Sequence, residues 1–245
     1  MQKTTQIYGI RAVIEAINSN EAIDKVFIQK GLHGDLSKEL ESLIRKKGIH
    51  ASYVPLEKIN RLSQNNHQGV VASISPIQFH NFEELVEKVM AVKKEPLFLL
   101  LDQLSDVRNF GAIIRTAECT GVDGIIIQKK GAAPVTADTI KTSAGAAFKV
   151  PIAKVDHIKD AVFYLQASGV RIVAATEKTN TVLYDVPLNN AVAVVMGSED
   201  TGIAPSILKV ADYTAKLPIL GEIDSLNVSV ACGVFLYEVV RQRRE

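Results

Sequence analysis

PLFLLLDQLSDVRNFGAIIRTAECTGVDGIIIQ, residues 96–128, decides the fold. It opens on an unbroken apolar run, passes through a polar turn into an amphipathic helix stopped at Gly121, and returns to a second apolar run. A run with no polar side must be covered on both faces. Strand, helix and strand in succession therefore predict an α/β domain with a parallel sheet between helical layers. The pattern continues downstream with a helix over 156–169 (DHIKDAVFYLQASG), strands RIVAAT (171–176) and AVAVVMG (191–197), and a closing helix. In that last helix Val228, Ala231, Cys232, Phe235, Leu236 and Val239 recur at helical spacing and predict one apolar face. Glu238, Arg241, Arg243 and Arg244 are assigned to its polar face and end, where cations suit the helix dipole. The Ser/Thr/Ala-rich stretch between Gln128 and Asp156 carries no clear period.

Upstream, residues 1–75 read as a small α/β module: helix GIRAVIEAINS, strand KVFIQKG, helix DLSKELESLIRKKG, the extended HASYV, a helical turn LEKINRLS and strand QGVVASIS. Ser75-Pro76 and Pro96 enclose one Glu/Lys-rich amphipathic helix, so 76–95 is read as a linker and 96–245 as the second domain. At 245 residues and 47% hydrophobic, the chain has apolar material for one large or two modest globular domains. No apolar run is long enough to span a bilayer and the start MQKTTQ lacks a signal-peptide core, so a cytoplasmic protein with no membrane partner is expected. Two cysteines, Cys119 and Cys232, both in apolar helical patterns, are read as buried thiols in a reducing compartment. The five histidines show no metal-ligand spacing, and no metal is expected. A net charge of +1 does not itself indicate nucleic acid. Arg45-Lys46-Lys47, Lys129-Lys130 and Arg241/Arg243/Arg244 are local basic clusters that could each meet phosphates, but taken one at a time each is read as a solvated helix or strand end.

Polar residues crowd three strand ends, and none of these segments is the GxGxxG of a dinucleotide site. After FLLL, Asp106 or Asn109 can cap the helix that carries Arg115. Six residues turn a helix by about 600°, so Asn109 and Arg115 converge only if Asn109 belongs to the loop or cap. After AVAVVM, Gly197 and Gly202 bracket a Ser-Glu-Asp-Thr loop holding Glu199, and glycines allow backbone to approach a ligand closely. After DYTAK, LPILG (217–221) provides an apolar wall suited to an aromatic base, and Ser225 or Asn227 stands where the closing helix begins. Taken singly, each is explained as a cap or a turn.

Taken in order, Asn109-x-Gly111-Ala112-x-x-Arg115, Gly197-Ser198-Glu199-x-x-Gly202 and Ser225-Leu226-Asn227-Val228-Ser229-x-Ala231 resemble the three motifs of the SpoU/TrmH family of RNA ribose 2′-O-methyltransferases. The resemblance covers about Pro96 to the C-terminus. IYGIRAVIEAI and NHQGVVA further resemble the ribosomal-protein-like RNA-binding extension of the 23S rRNA guanosine subgroup. The resemblance implies a SPOUT-type fold with a deep trefoil knot, which no periodicity reveals. It implies S-adenosyl-L-methionine bound by Thr176, Gly197, Leu217, Ile219 and Leu226, a homodimer with its site near the subunit interface, and RNA, specifically a guanosine of 23S rRNA, as substrate. Asn109, Arg115, Glu199, Ser225 and Asn227 are the implied catalytic set. Two departures are Val107, where many relatives have proline, and Asp200, where many have glycine.

In the family the arginine matching Arg115 is assigned as a base, but a guanidinium stays protonated. The reading adopted is that Arg115 clamps a phosphate by a bidentate pair while phosphate or water accepts the proton. Glu199 then orients Arg115 or the ribose, and Asn109, Ser225 and Asn227 supply neutral hydrogen bonds. Competing readings are the same chemistry on tRNA or another rRNA nucleotide, as in resistance methylases, a non-catalytic RNA-binding ribosome-assembly protein, and a small-molecule nucleotide enzyme.

Overall fold

The computed structural model describes residues 6–222 and 225–244; the start MQKTT and Asp224 of DSLNVSVA lie outside the described residues. The chain divides into two compact units, the first ending at Gln78 and the second beginning at Phe79.

The first unit runs β1 (Gln6–Tyr8), α1 (Ile10–Asn18), β2 (Ile23–Gln29), α2 (Asp35–Lys47), β3 (Ala51–Val54), α3 (Leu56–Leu62) and β4 (Val70–Ile74). Its sheet order is β1-β4-β2-β3, with β2 and β3 parallel and the other pairs antiparallel. Alternate strand residues Val26, Ile28, Val70 and Ala72 meet Val13 and Ile17 of α1 and Leu40 and Ile44 of α2 in the main core. The opposite face is thinner, with Val54, Ile59 and Val71 packed together. Gly48 ends α2 in the left-handed conformation (φ 63°), and Arg45, Lys46 and Lys47 occupy its last turn at the negative end of the dipole.

The second unit holds α4 (Phe82–Val92), β5 (Leu97–Leu101), α5 (Val107–Cys119), β6 (Gly124–Gln128), α6 (Ala137–Thr142), β7 (Ile152–Val155), α7 (Ile158–Ala167), β8 (Arg171–Ala175), β9 (Val192–Met196), α8 (Pro205–Leu208), β10 (Tyr213–Ala215) and α9 (Val228–Gln242). All six strands are parallel in the order β10-β8-β9-β5-β6-β7. Phe98, Leu100, Ile126, Ile172, Ala193 and Val195 pack against α4, α7 and α8 on one face. The alternating set, including Leu99, Ile125, Ile127 and Val194, is equally buried, and on that side α9 lies against β9 and α5.

Three expectations are corrected. The helix assigned to a linker is part of the second unit, because Asn81 caps it and Phe82, Leu85 and Val86 are buried in that unit's core. Glu238, assigned to a polar face, is 5% exposed, held by Arg241 through two bonds of 2.9 Å and by Gln242 at 2.8 Å. Arg241 is the largest influence holding this carboxyl below its usual range. Of the two thiols only Cys232 is buried, where desolvation pushes it up to about 12, while Cys119 is exposed. Among the described residues no helix is long and apolar enough to cross a membrane, and no group of three or more His, Cys, Asp or Glu side chains is placed to hold a metal ion.

Candidate active site

Because every strand of the second sheet runs the same way, all six C-terminal ends open on one edge. Four adjacent strands, β10, β8, β9 and β5, bring the predicted segments there. Register pairs Leu101 with Met196, Ala174 with Val195 and Ala175 with Ala215. Asp102, Gly197, Thr176 and Lys216 therefore leave the sheet side by side. Chain connections depart in opposite directions from β5 and β9, which makes their boundary the switch point where open α/β sheets bind ligands.

The structure brings Asn109, Glu199 and Asn227 together. The Asn109 Nδ2 group donates to Glu199 Oε1 at 2.7 Å, and Asn227 Nδ2 donates to the same oxygen at 2.9 Å. Asn227 Nδ2 also donates to Asn109 Oδ1 at 3.1 Å, which closes a three-residue ring. A carboxylate can only accept, so both amides are obliged to turn their NH2 groups toward it. Each residue comes from a different motif, and the ring joins all three motifs. Glu199 Oε2 has no partner among the described residues.

Local folding sets each member. Asp106 caps α5, accepting from the Asn109 amide at 2.7 Å, so Asn109 lies in the helix's first turn. Asn227 caps α9, its Oδ1 accepting from Ser229 N at 2.9 Å and Val230 N at 3.4 Å, and from the Ser229 hydroxyl. Glu199 rides on a tight turn whose ends pair Ser198 with Gly202 at 3.2 and 3.0 Å, reinforced by the Ser198 and Thr201 hydroxyls at 2.7 Å. A Cβ at Gly197 would sit 2.2 Å from the Gly202 carbonyl carbon and 2.3 Å from Ile203 N. The turn folding back on itself already demands glycine at 197, before any ligand is considered.

Other predicted residues lie at the same edge without joining the ring. Thr176 donates its amide to Ala215 O at 2.9 Å, and its hydroxyl accepts from Lys178 N at 3.2 Å. Leu217 is half-buried, whereas Ile219 and Leu226 are 40% and 45% exposed. Ser225 is exposed and forms no hydrogen bond with a described residue. Arg115 stands apart. With Asn109 inside the helix, Arg115 lies about 240° round it, exposed and without an ion pair or hydrogen bond to any described residue.

Asp102 was not singled out from sequence, although a carboxylate directly after a five-residue apolar strand is its own signal. It is 1% exposed, and Oδ2 accepts from Ala204 N at 2.8 Å, which ties the end of the Glu199 turn to β5. Burial raises its pKa against the opposing pull of that hydrogen bond. Asp102→Ala leaves the Ala204 amide without its acceptor, at a cost of about 2 kcal/mol or roughly 4–8 °C in Tm. Asp102→Asn keeps an acceptor, and its thermal melt is expected within about 1 kcal/mol of wild type.

Both units match known protein families. The family model described as the SpoU rRNA Methylase family matches residues 96–237, and that described as RNA 2′-O ribose methyltransferase substrate binding matches residues 6–80. A Bacillus subtilis protein whose name places it in the TrmH family of tRNA/rRNA methyltransferases is 31% identical over 242 residues, covering 99% of this chain and 97% of its own length. The AdoMet-bound rRNA methyltransferase from Sinorhizobium meliloti superposes with a TM-score of 0.61 at 24% identity, covering 96% of this chain and 86% of that one. The TrmH/SpoU tRNA modifying enzyme of A. aeolicus gives 0.56 at 30% identity, covering 66% and 84% respectively. On the family model spanning more than half its length and on relatedness along nearly all of it, the chain belongs to the SpoU/TrmH family of RNA methyltransferases.

Proposed function

We propose that the protein transfers the methyl group of S-adenosyl-L-methionine to a ribose 2′-hydroxyl of RNA, and that its target is a guanosine of 23S rRNA. The observation that carries the methyl-transfer reading is the Asn109–Glu199–Asn227 ring at the switch point, built from all three family motifs. The substrate-binding family model over 6–80 supports the ribose 2′-hydroxyl as acceptor. An rRNA target is supported by the family model over 96–237, whose description is the SpoU rRNA Methylase family.

The donor fits the residues present. Ile219 and Leu226 leave apolar surface exposed, and Gly197, Thr176 and Leu217 follow the ends of the neighbouring strands β9, β8 and β10, which together offer a wall and a polar rim suited to an adenine ring and its sugar. When bound, the donor supplies a methyl group activated on a sulfonium. The chain's part is to align the acceptor oxygen behind that carbon and to provide for its proton. The ring fixes Glu199 with Oε2 free to accept from a ribose hydroxyl. Ser225, exposed at the same edge, supplies a further neutral contact. Arg115 grips the adjacent phosphate as a bidentate clamp.

Within one chain Arg115 does not meet the ring. We propose a homodimer in which a second copy brings it there. The outward stripe of α9, with Val230 54% and Tyr237 56% exposed, offers the apolar cover such an interface needs. We further propose the knotted topology and a cytoplasmic location. Gln242 and Arg243 at the end of α9 bond the backbone of Val186, Leu188, Asn190 and Pro96, which is the grip expected of a chain end drawn through the loop before β9.

The test is incubation of pure protein with methyl-labelled donor and separate pools of unmodified 23S rRNA and tRNA. Label is expected in 23S rRNA at a ribose that becomes resistant to alkaline cleavage. Label confined to tRNA, or to no RNA, overturns the proposal.

A further inference from the structure

The first unit has a groove that its own packing leaves unused. It runs along α2 past the edge strand β3 and consists of two adjoining cavities, only the first of which reaches β3. One, of about 530 Å³, is lined by Gln29, His33, Lys38, Glu41 and Tyr53 among others. The other, of about 500 Å³, is lined by Lys38, Glu41, Ser42, Arg45 and Lys46. Lys38, Glu41, Ser42, Arg45 and Lys46 recur at helical spacing, so they form one stripe about 12 Å long. The neighbouring stripe, Ser37, Leu40 and Ile44, is the buried one.

Tyr53 forms the far wall. It pairs in register with Ile28, so its ring is on the α2 side of the sheet, but β3 is the edge and the ring remains 51% exposed. Its hydroxyl donates to Glu41 Oε1 at 3.2 Å, which holds the ring upright beside the stripe. The cations are available. Lys47 is tied to Asn20 Oδ1 at 2.9 Å, whereas Lys38, Arg45 and Lys46 have no hydrogen bond or ion pair with a described residue. Three free cations against the single carboxylate of Glu41 leave the groove net positive. A standing aromatic face beside a row of unpaired cations is the arrangement that accepts an unpaired base with its flanking phosphates. A duplex exposes no base face and has no use for the ring.

We propose that this α2/β3 groove binds a single-stranded segment of the RNA substrate, with one base stacked on Tyr53 and the adjoining phosphates on Lys38, Arg45 and Lys46. The proposal rests on the RNA-methylation reading for its substrate class and names the surface of residues 6–78 that holds it.

The test uses the full chain, a fluorescein-labelled 12-nucleotide uridine RNA and a 12-base-pair RNA duplex, with thermal melts to confirm folding. Tyr53→Ala is expected to weaken single-strand binding about tenfold, with Tyr53→Phe within about twofold of wild type. The double variant Arg45→Glu, Lys46→Glu is expected to lower the slope of log affinity against log salt by about 1.4, two phosphate contacts at about 0.7 each. Tyr53→Ala is expected to leave duplex binding unchanged. Unchanged single-strand affinity in Tyr53→Ala, an equal loss in Tyr53→Phe, or an unaltered salt slope in the double variant overturns the groove and leaves β3 as an edge for a protein strand. Transfer of label to 23S rRNA is measured alongside. Tyr53-dependent binding without transfer keeps the groove and removes the enzymatic reading; transfer with Tyr53-independent binding does the reverse.

Discussion

Gly197→Ala is expected to cost about 2–3 kcal/mol of stability, as overpacking of a closed site does, and to lower methyl transfer by about 100-fold or more. The added methyl would meet only backbone, at 2.2 Å from Gly202 C, 2.3 Å from Ile203 N and 2.5 Å from Gly202 O. No rotamer change relieves such a contact, so the turn has to open. Opening it moves Glu199 away from Asn109 and Asn227, which is why the loss in rate exceeds what lower stability alone produces. Gly202→Ala is the control. That glycine has φ +67° and nothing within 4 Å of an added Cβ, so only the backbone preference opposes the change, at about 1 kcal/mol. Calorimetry and single-turnover transfer on the pair separate the two causes. Equal stability of Gly197→Ala and wild type would show that the turn does not need its present closure.

Arg115→Lys is expected to lower the single-turnover rate about 100-fold, with RNA binding nearly unchanged and Tm the same as wild type. Lysine keeps the charge and loses the two-pronged donor, so the variant isolates the clamp. The unchanged Tm follows from exposure and the lack of a partner among the described residues. An undiminished rate removes Arg115 from the chemistry. Mixing Arg115→Lys with Glu199→Gln extends the test to the dimer. If each site takes Arg115 from one copy and Glu199 from the other, half of the randomly paired dimers hold one intact site of two, and activity returns to about a quarter. No recovery on mixing means that one copy supplies both residues.

The parts of the fold that were legible are those where burial leaves a strong imprint. LFLLL, GIII and VAVVM are apolar on both sides because the parallel sheet covers both sides, and they were read as strands. One edge of the sheet was not read: β7 follows Pro151 and mixes Lys154 into its four residues, so it presents no period against its polar surroundings. The other edge was read only as a strand end at DYTAK, because β10 has just three residues. α6 is a six-residue helix set by the Thr136–Thr139 capping box, a local signal hidden in a stretch whose composition alone looks irregular. Glu238 was misplaced for a different reason. Its helical position is buried, and only Arg241 and Gln242 make a carboxylate tolerable there; the helical period takes no account of such partners.

The site was legible as an inventory and illegible as a geometry. Asn109, Glu199 and Asn227 were each accountable as caps and turns. Asn227 is indeed a cap, and its amide nitrogen serves the ring while its oxygen serves the helix. The choice of cap for α5 had to be seen, because Asp106 taking that role leaves Asn109 in the first turn and sends Arg115 to another face of the helix.

The ring's three hydrogen bonds join residues 90, 118 and 28 positions apart in the chain, so no local segment contains it. The ring closes only when the first turn of α5, the turn after β9 and the start of α9 are all in place. A loosening at any one of these three places is therefore expected to be felt at the other two, and the ring reports on the packing of the second unit as a whole.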